Sequence, residues 1–184
     1  SSCRSNDGGS THLAVVLAPG ANLPQQSLPL NPGGVVYDAT TRTPVPGSRV
    51  TLTPIGTCAG YAPEQHVLNA MLGGYTVQGT SVSMTVGADG FYQFLLGPNA
   101  PSSCSFQLAV TPPAGYTFQS AMIPAETSPL TPPSTPGEGY PVQTNATAPT
   151  GPVGTSTTYY LELTLGSGVA VPVHNHIPLD PPIA

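Results

Sequence analysis

Short alternations of apolar and polar residues, each closed by turn formers, recur along the chain from about residue 33 onward. Gly34-Val35-Val36-Tyr37-Asp38, Val50-Thr51-Leu52-Thr53 and Phe91-Tyr92-Gln93-Phe94 all have this form. A period of two, bounded by Gly, Pro, Asn or Asp, is how a half-buried strand is written in a sequence. The pattern predicts strands over 35–38, 50–55, 75–78, 81–86, 91–96, 106–110, 116–119, 158–165 and 169–173. Val82, Met84 and Val86 share one face, predicted to be the core face. Pro44, Pro46 and Gly47 set a tight turn before the second strand, and Asp89-Gly90 between Val86 and Phe91 predicts a hairpin. Helical periodicity occurs once, over 61–73. Pro63 and Glu64 suit a first turn, Val67, Leu68, Met71 and Leu72 fall on one side, and Gly73-Gly74 ends it. One or two turns are predicted there, covering an end of the sheet.

The two flanks of this pattern differ from its middle. Residues 1–32 read as an N-terminal arm, and 33–184 as a β domain carrying an irregular excursion over 124–152. In the arm, a polar leader is followed by His12-Leu13-Ala14-Val15-Val16-Leu17-Ala18, a strand pattern with Leu13, Val15 and Leu17 on one face and no hairpin partner of its own. Residues 19–32 hold four prolines in 14 positions and cannot be helical. Fully extended at about 3.1 Å per residue, this spacer spans roughly 40 Å. A strand on such a tether can fold back onto an edge of its own domain, or it can be donated to the open sheet edge of another copy. The excursion contains eight prolines, and loops of that length are usually functional or disordered. Leu130, Tyr140 and Val142 are its candidate anchors on the domain surface or on a neighbour. Asp180-Pro181-Pro182 predicts an extended tail.

Three of these segments carry a resemblance. Gly-x-Val-Tyr-Asp over 34–38, Pro-Val-x-Gly-x-x-Val-x-Leu over 44–52 and Asp-Gly-x-Tyr-x-Phe over 89–94 resemble the prealbumin-like β-sandwich modules of bacterial surface proteins. That group includes the Cna B-type and SdrD B-like repeats and the carboxypeptidase regulatory-like domain. Pro112-Pro113-Ala114-Gly115-Tyr116 is similar to the closing corner of such modules, and residues 159–165 and 174–181 resemble module ends in large repetitive proteobacterial exported proteins. The resemblance implies an all-β, Ig-like or prealbumin-like sandwich with long Pro-rich loops and extended N- and C-terminal strands. It also implies a structural or adhesive role at the cell surface.

Charge narrows the partners. Charged residues make up 6% of the chain, against about a quarter in ordinary soluble domains. Only Arg4, Arg42 and Arg49 are basic and the net charge is −5, so no basic patch for nucleic acid or an anionic membrane can form. No apolar run approaches the roughly 20 residues of a membrane span, so membrane insertion is not expected. The chain starts at Ser1, as it would after removal of a leader.

Cysteine usage fits an exported protein. Cys58 and Cys104 both lie where loops meet predicted strands, and a bridge between them would close a 47-residue loop, worth about 4 kcal/mol in the loop-entropy treatment. Two buried free thiols are the alternative. Cys3 is left over, as a cross-link to another molecule or an idle thiol. The chain has no lysine, so the Lys–Asn isopeptide bond of many Cna B-type modules cannot form.

Candidate chemistry is sparse. His174 and His176 alternate along a strand, so they share a face and are weak metal candidates; His12, His66 or Asp180 would have to complete the set, and polar edge positions are the plain alternative. Asp38 and Asp89 could meet calcium in a loop, though Asp38 also suits a cap on its own turn. Asn145-Ala146-Thr147 fits the N-glycosylation pattern, and the Ser/Thr/Pro-rich stretch could carry O-linked sugars. No nucleophile elbow, zinc helix or phosphate loop occurs, so neither catalytic residues nor a cofactor are expected and the chain is not read as an enzyme. The expectation is an extracellular or cell-surface structural subunit of a fibre or matrix, self-associating by β-strand donation. The alternative is an adhesin or carbohydrate-binding module of a larger surface protein, meeting cell-surface glycans or proteins through the excursion. An accessory domain of a secreted enzyme is a third reading.

Overall fold

The structure, a computed structural model, describes residues 31–97, 99–101, 104–131, 141–143, 145–151, 157–164 and 172–182. Leu13, Val15, Leu17 and Cys3 lie outside the described residues. Nearly all regular structure is strand: β1 (Asn31–Asp38), β2 (Arg49–Ile55), β3 (Tyr75–Gln78), β4 (Ser81–Thr85), β5 (Phe91–Gln93), β6 (Ser105–Thr111), β7 (Glu162–Thr164), β8 (Pro172–His174) and β9 (Ile177–Leu179). The one helix among the described residues, α1 (Pro63–His66), is a single turn with proline at its start. Two sheets result. The larger runs β3-β4-β2-β6-β7, and the smaller runs β5-β1-β8 with β9 also on β1.

The larger sheet is built as the alternation predicts. In β6 the burial alternates strictly, with Phe106, Leu108 and Val110 inside, and all seven residues of β2 pair antiparallel with it from Arg49↔Thr111 to Ile55↔Ser105. The Cys58–Cys104 disulfide closes the end of this ladder, with Cα atoms 5.3 Å apart, inside the usual span for the bond. Val50, Leu52, Val82, Phe106 and Leu163 of this sheet share one core with Val36, Tyr92, Phe94, Ile177 and Leu179 of the other. Val82 and Val86 are fully inside, whereas Met84 is half-buried.

The smaller sheet departs from local expectation. Asp89-Gly90 does not make a hairpin: β4 is already paired on both sides, with β2 and β3, so the chain crosses to the other sheet, where β5 pairs with β1. The turn docks on β1. Val36 N–H donates to Gly90 O at 2.9 Å, Gly90 takes φ +67°, and a Cβ there would lie 2.7 Å from Val36 O. The strands expected over 158–165 and 169–173 also part company, since β7 belongs to the larger sheet while β8 and β9 run parallel to β1 in the smaller. The tail expected near Asp180 is integral to the fold. Residues 116–119 form no strand, only a bridge between Thr117 and Asp180.

Val35, Val36, Tyr37 and Asp38 are all buried, and successive strand residues point to opposite faces. β1 is therefore covered on both faces, as is β9. Asp38 caps its own turn as expected: its Oδ1 accepts the Thr40 and Thr41 N–H groups, each at 2.8 Å, and its Oδ2 accepts the Tyr116 hydroxyl at 3.0 Å. Burial pushes its carboxyl up, but these bonds outweigh it and hold the group below its ordinary 3.8.

Candidate association surface

One side of the two-sheet body is closed by the excursion. Glu126 N–H donates to Tyr159 O (2.9 Å), Leu130 N–H to Glu162 O (2.7 Å), and Thr164 N–H returns to Leu130 O (2.9 Å), so residues 126–130 lie parallel to β7 and cover its outer edge. Further on, Gln143 bridges His174, and Asn145 O accepts the Nε2–H of His176 at 2.8 Å. The excursion is thus fastened to both sheets. Leu130 is buried and Val142 packs against the core; Tyr140, the third anticipated anchor, lies outside the described residues.

Where the C-terminal strand joins β1, a buried polar cluster replaces regular pairing. Asn175 and His176 separate β8 from β9 without changing the register on β1. The backbone there comes so close that a Cβ on Gly34 would sit 2.5 Å from Asn175 O. Only glycine fits. Tyr92 pairs with Gly34 in register, and its hydroxyl reaches across β1 to donate to Asn175 O at 2.6 Å. The Asn175 amide, fully buried, accepts Tyr160 N–H (2.7 Å) and donates to Tyr160 O (2.8 Å), standing in for a missing backbone unit. His176 Nδ1 accepts Val35 N–H at 2.9 Å, which fixes the tautomer with the proton on Nε2. Burial, aided slightly by His174, pushes its pKa down from 6.5 to about 4, against the opposing bond to Asn145 O.

The two histidines do share a face, with stacked rings 6.1 Å apart. Both ring nitrogens of His176 already serve in hydrogen bonds, and a metal would have to displace one. Among the described residues, no three His, Cys, Asp or Glu side chains gather as a metal site. Asp89 Oδ1 accepts Phe91 N–H at 3.1 Å, a turn cap like that of Asp38. Among the described residues no helix is long and apolar enough to cross a membrane.

The opposite side of the body is built differently. The outer edge of β5 is occupied: Gln93 O accepts Asn69 Nδ2–H (3.0 Å) and the Tyr75 hydroxyl (2.6 Å), and Asn69 Oδ1 takes Leu95 N–H (3.0 Å). Residues 67–74 pass between the two sheet edges, tied to Leu96 by a bridge at Val67 and to β3 by Tyr75 N–H on Leu72 O. Val67 and Ala70 point inward, but Leu68, Met71 and Leu72 are 55%, 71% and 61% exposed. The helical face predicted for Val67, Leu68, Met71 and Leu72 is therefore split, because the helix stops after one turn and its period no longer applies. Beside this rim, β3 pairs on one side only, with β4. Beyond the Tyr75 N–H taken by Leu72 O, no described residue pairs with its outer edge. The signal for the rim was present in sequence as apolar residues ahead of Gly73-Gly74; the signal for the polar cluster was Gly34 and the Asn175 that interrupts the final strand.

No family model matches the chain, and no curated protein and no solved structure matches it.

Proposed function

We propose that this chain is a structural subunit of an extracellular fibre or matrix, whose copies join when an N-terminal strand bearing Leu13, Val15 and Leu17 is donated from one to the next. One observation carries the reading. Among the described residues one core cluster runs from Val35 to Leu179, and β1 has strands on both sides, so β1 offers no free edge to the apolar segment that precedes it by a Pro-rich spacer. An apolar alternation on a long tether, kept from pairing with the strand it leads into, is what strand donation needs. The scarcity of charge lowers repulsion between copies, and the Cys58–Cys104 disulfide suits an oxidising, extracellular setting. In this reading the sandwich is of the prealbumin-like, Ig-like kind, the role is mechanical and not catalytic, and Cys3, on the same arm, is placed to cross-link neighbours.

The test is electron microscopy and light scattering of the full chain beside Leu13→Asp/Val15→Asp/Leu17→Asp. Filaments from the first and monomers from the second are the expected result. Monomers from both, or filaments from both, would overturn the reading.

A further inference from the structure

Resting on that proposal, we infer that the receiving site on the second copy is the outer edge of β3 together with the apolar rim of Leu68, Met71 and Leu72. The first ground is elimination. Among the described residues, the β7 edge is covered by residues 126–130, the β8 side is met by Gln143, the β5 edge is held by Asn69 and Tyr75, and β9 is buried along its length with Pro178, which has no N–H, at its centre. The second is hydrogen-bonding capacity. Gln78 and Ser81 close a two-residue turn, with Gly79 at φ +60°, so they exchange bonds, as does the pair two residues on at Thr76. Val77, between them, turns its N–H and C=O away from β4, toward an incoming strand.

The third ground is the absence of guards. Exposed edges are normally protected by charge, proline or a bulge. In a chain with 24 prolines, residues 65–88 contain none, and no Asp, Glu, Lys or Arg either. The segment 12–18 is equally free of both. A strand laid beside β3 would set Leu13, Val15 and Leu17 on the face of Tyr75 and Val77, next to the exposed rim, and would leave Ala14, Val16 and Ala18 on the face of Thr76 and Gln78. The spacer that follows it, roughly 40 Å when extended, is long enough to bring it from a neighbour.

The experiment uses two independent acceptor variants in the full chain. Val77→Pro removes the outward N–H at an edge position where proline is tolerated, and Met71→Asp/Leu72→Asp charges side chains that are already exposed. Each is expected to raise the concentration for half-polymerisation at least tenfold, with far-UV circular dichroism unchanged. Mixed one to one with the Leu13→Asp/Val15→Asp/Leu17→Asp chain, each should give a heterodimer that grows no further, since one partner keeps a donor and the other an acceptor. If both acceptor variants polymerise like the parent while the donor variant stays monomeric, donation stands and the β3 edge is not the receiver. If the donor variant polymerises, or the parent is monomeric, the fibre reading itself fails. A monomeric parent whose Val77 amide is protected from exchange, with protection lost in the donor variant, would place the segment on its own β3 and overturn the second copy as occupant.

Discussion

Acidification should unfasten this protein at His176. The native ring is held neutral by its surroundings: Nδ1 must keep a lone pair for Val35 N–H, and burial takes its pKa from 6.5 down to about 4. In the unfolded chain the imidazole takes up a proton through its ordinary range, while the native ring refuses it until about 4. Stability is therefore complete above about pH 6.5 and drains away as pH falls toward the folded value. At 1.36 kcal/mol per unit, the full difference is about 3 kcal/mol, of which about 2 is lost between pH 7 and 5. Asp38, held below 3.8, draws on stability in the same direction but at lower pH, outside this window. The assay is urea unfolding with the disulfide intact, at half-unit steps from pH 7.5 to 4.5, for the parent and His176→Asn. Asparagine can keep an acceptor for Val35 N–H but cannot titrate or reach Asn145 O. It should cost about 1 kcal/mol at pH 7 and flatten the profile, so that the two curves converge near pH 5.5 and cross below it. A parent whose stability is level from pH 7 to 5, or a variant that retains the parent's slope, would refute the reasoning.

Other perturbations have equally definite outcomes. Gly34→Ala forces a Cβ to within 2.5 Å of Asn175 O and should cost about 3 kcal/mol or more in chemical denaturation, whereas Gly73→Ala, with open space around it, should stay within about 0.5 kcal/mol. Tyr92→Phe withdraws the donor from buried Asn175 O and should cost about 1–3 kcal/mol, read from the same melts. Cys58→Ser/Cys104→Ser reopens a 47-residue loop and should lower stability by about 4 kcal/mol in the loop-entropy treatment, an effect that reduction of the parent with a thiol should reproduce.

What could be read from the residues was whatever depends on near neighbours. The alternations at 50–55, 75–78 and 106–110 became strands with nearly those bounds, because a period of two with one face buried leaves a strand little choice. Cys58 and Cys104 stood at strand ends and are joined there. Partner choice was less legible. Asp89-Gly90 has the composition of a hairpin turn, yet β4 had no free side to offer and Val36 drew the turn to the other sheet. The parallel pairing of β9 with β1 rests on residues 141 positions apart, and nothing local announces it. Helical spacing put Leu68, Met71 and Leu72 on one side with Val67, and because the helix stops after one turn Val67 is buried while the other three lie at the surface. As for the candidate surface, its apolar residues were visible in sequence, but that β3 lies at the end of the larger sheet, paired with β4 alone among the described residues, is a matter of strand order that no local pattern gives.

The pairing of β8 and β9 with β1 also has a consequence in time. Contacts of such sequence separation give a high contact order, which slows folding because the loop must close before the contacts reward it. During synthesis from the N-terminal end, β1, β2 and β6 emerge and can collapse together, while the flank of β1 that β8 and β9 will occupy stands vacant until Ile177 and Leu179 arrive. For that interval the nascent chain exposes a long unpaired flank at the centre of its smaller sheet. The strand that ends the described fold acts as a bolt, and until it is shot the chain carries an open sheet that the finished fold conceals.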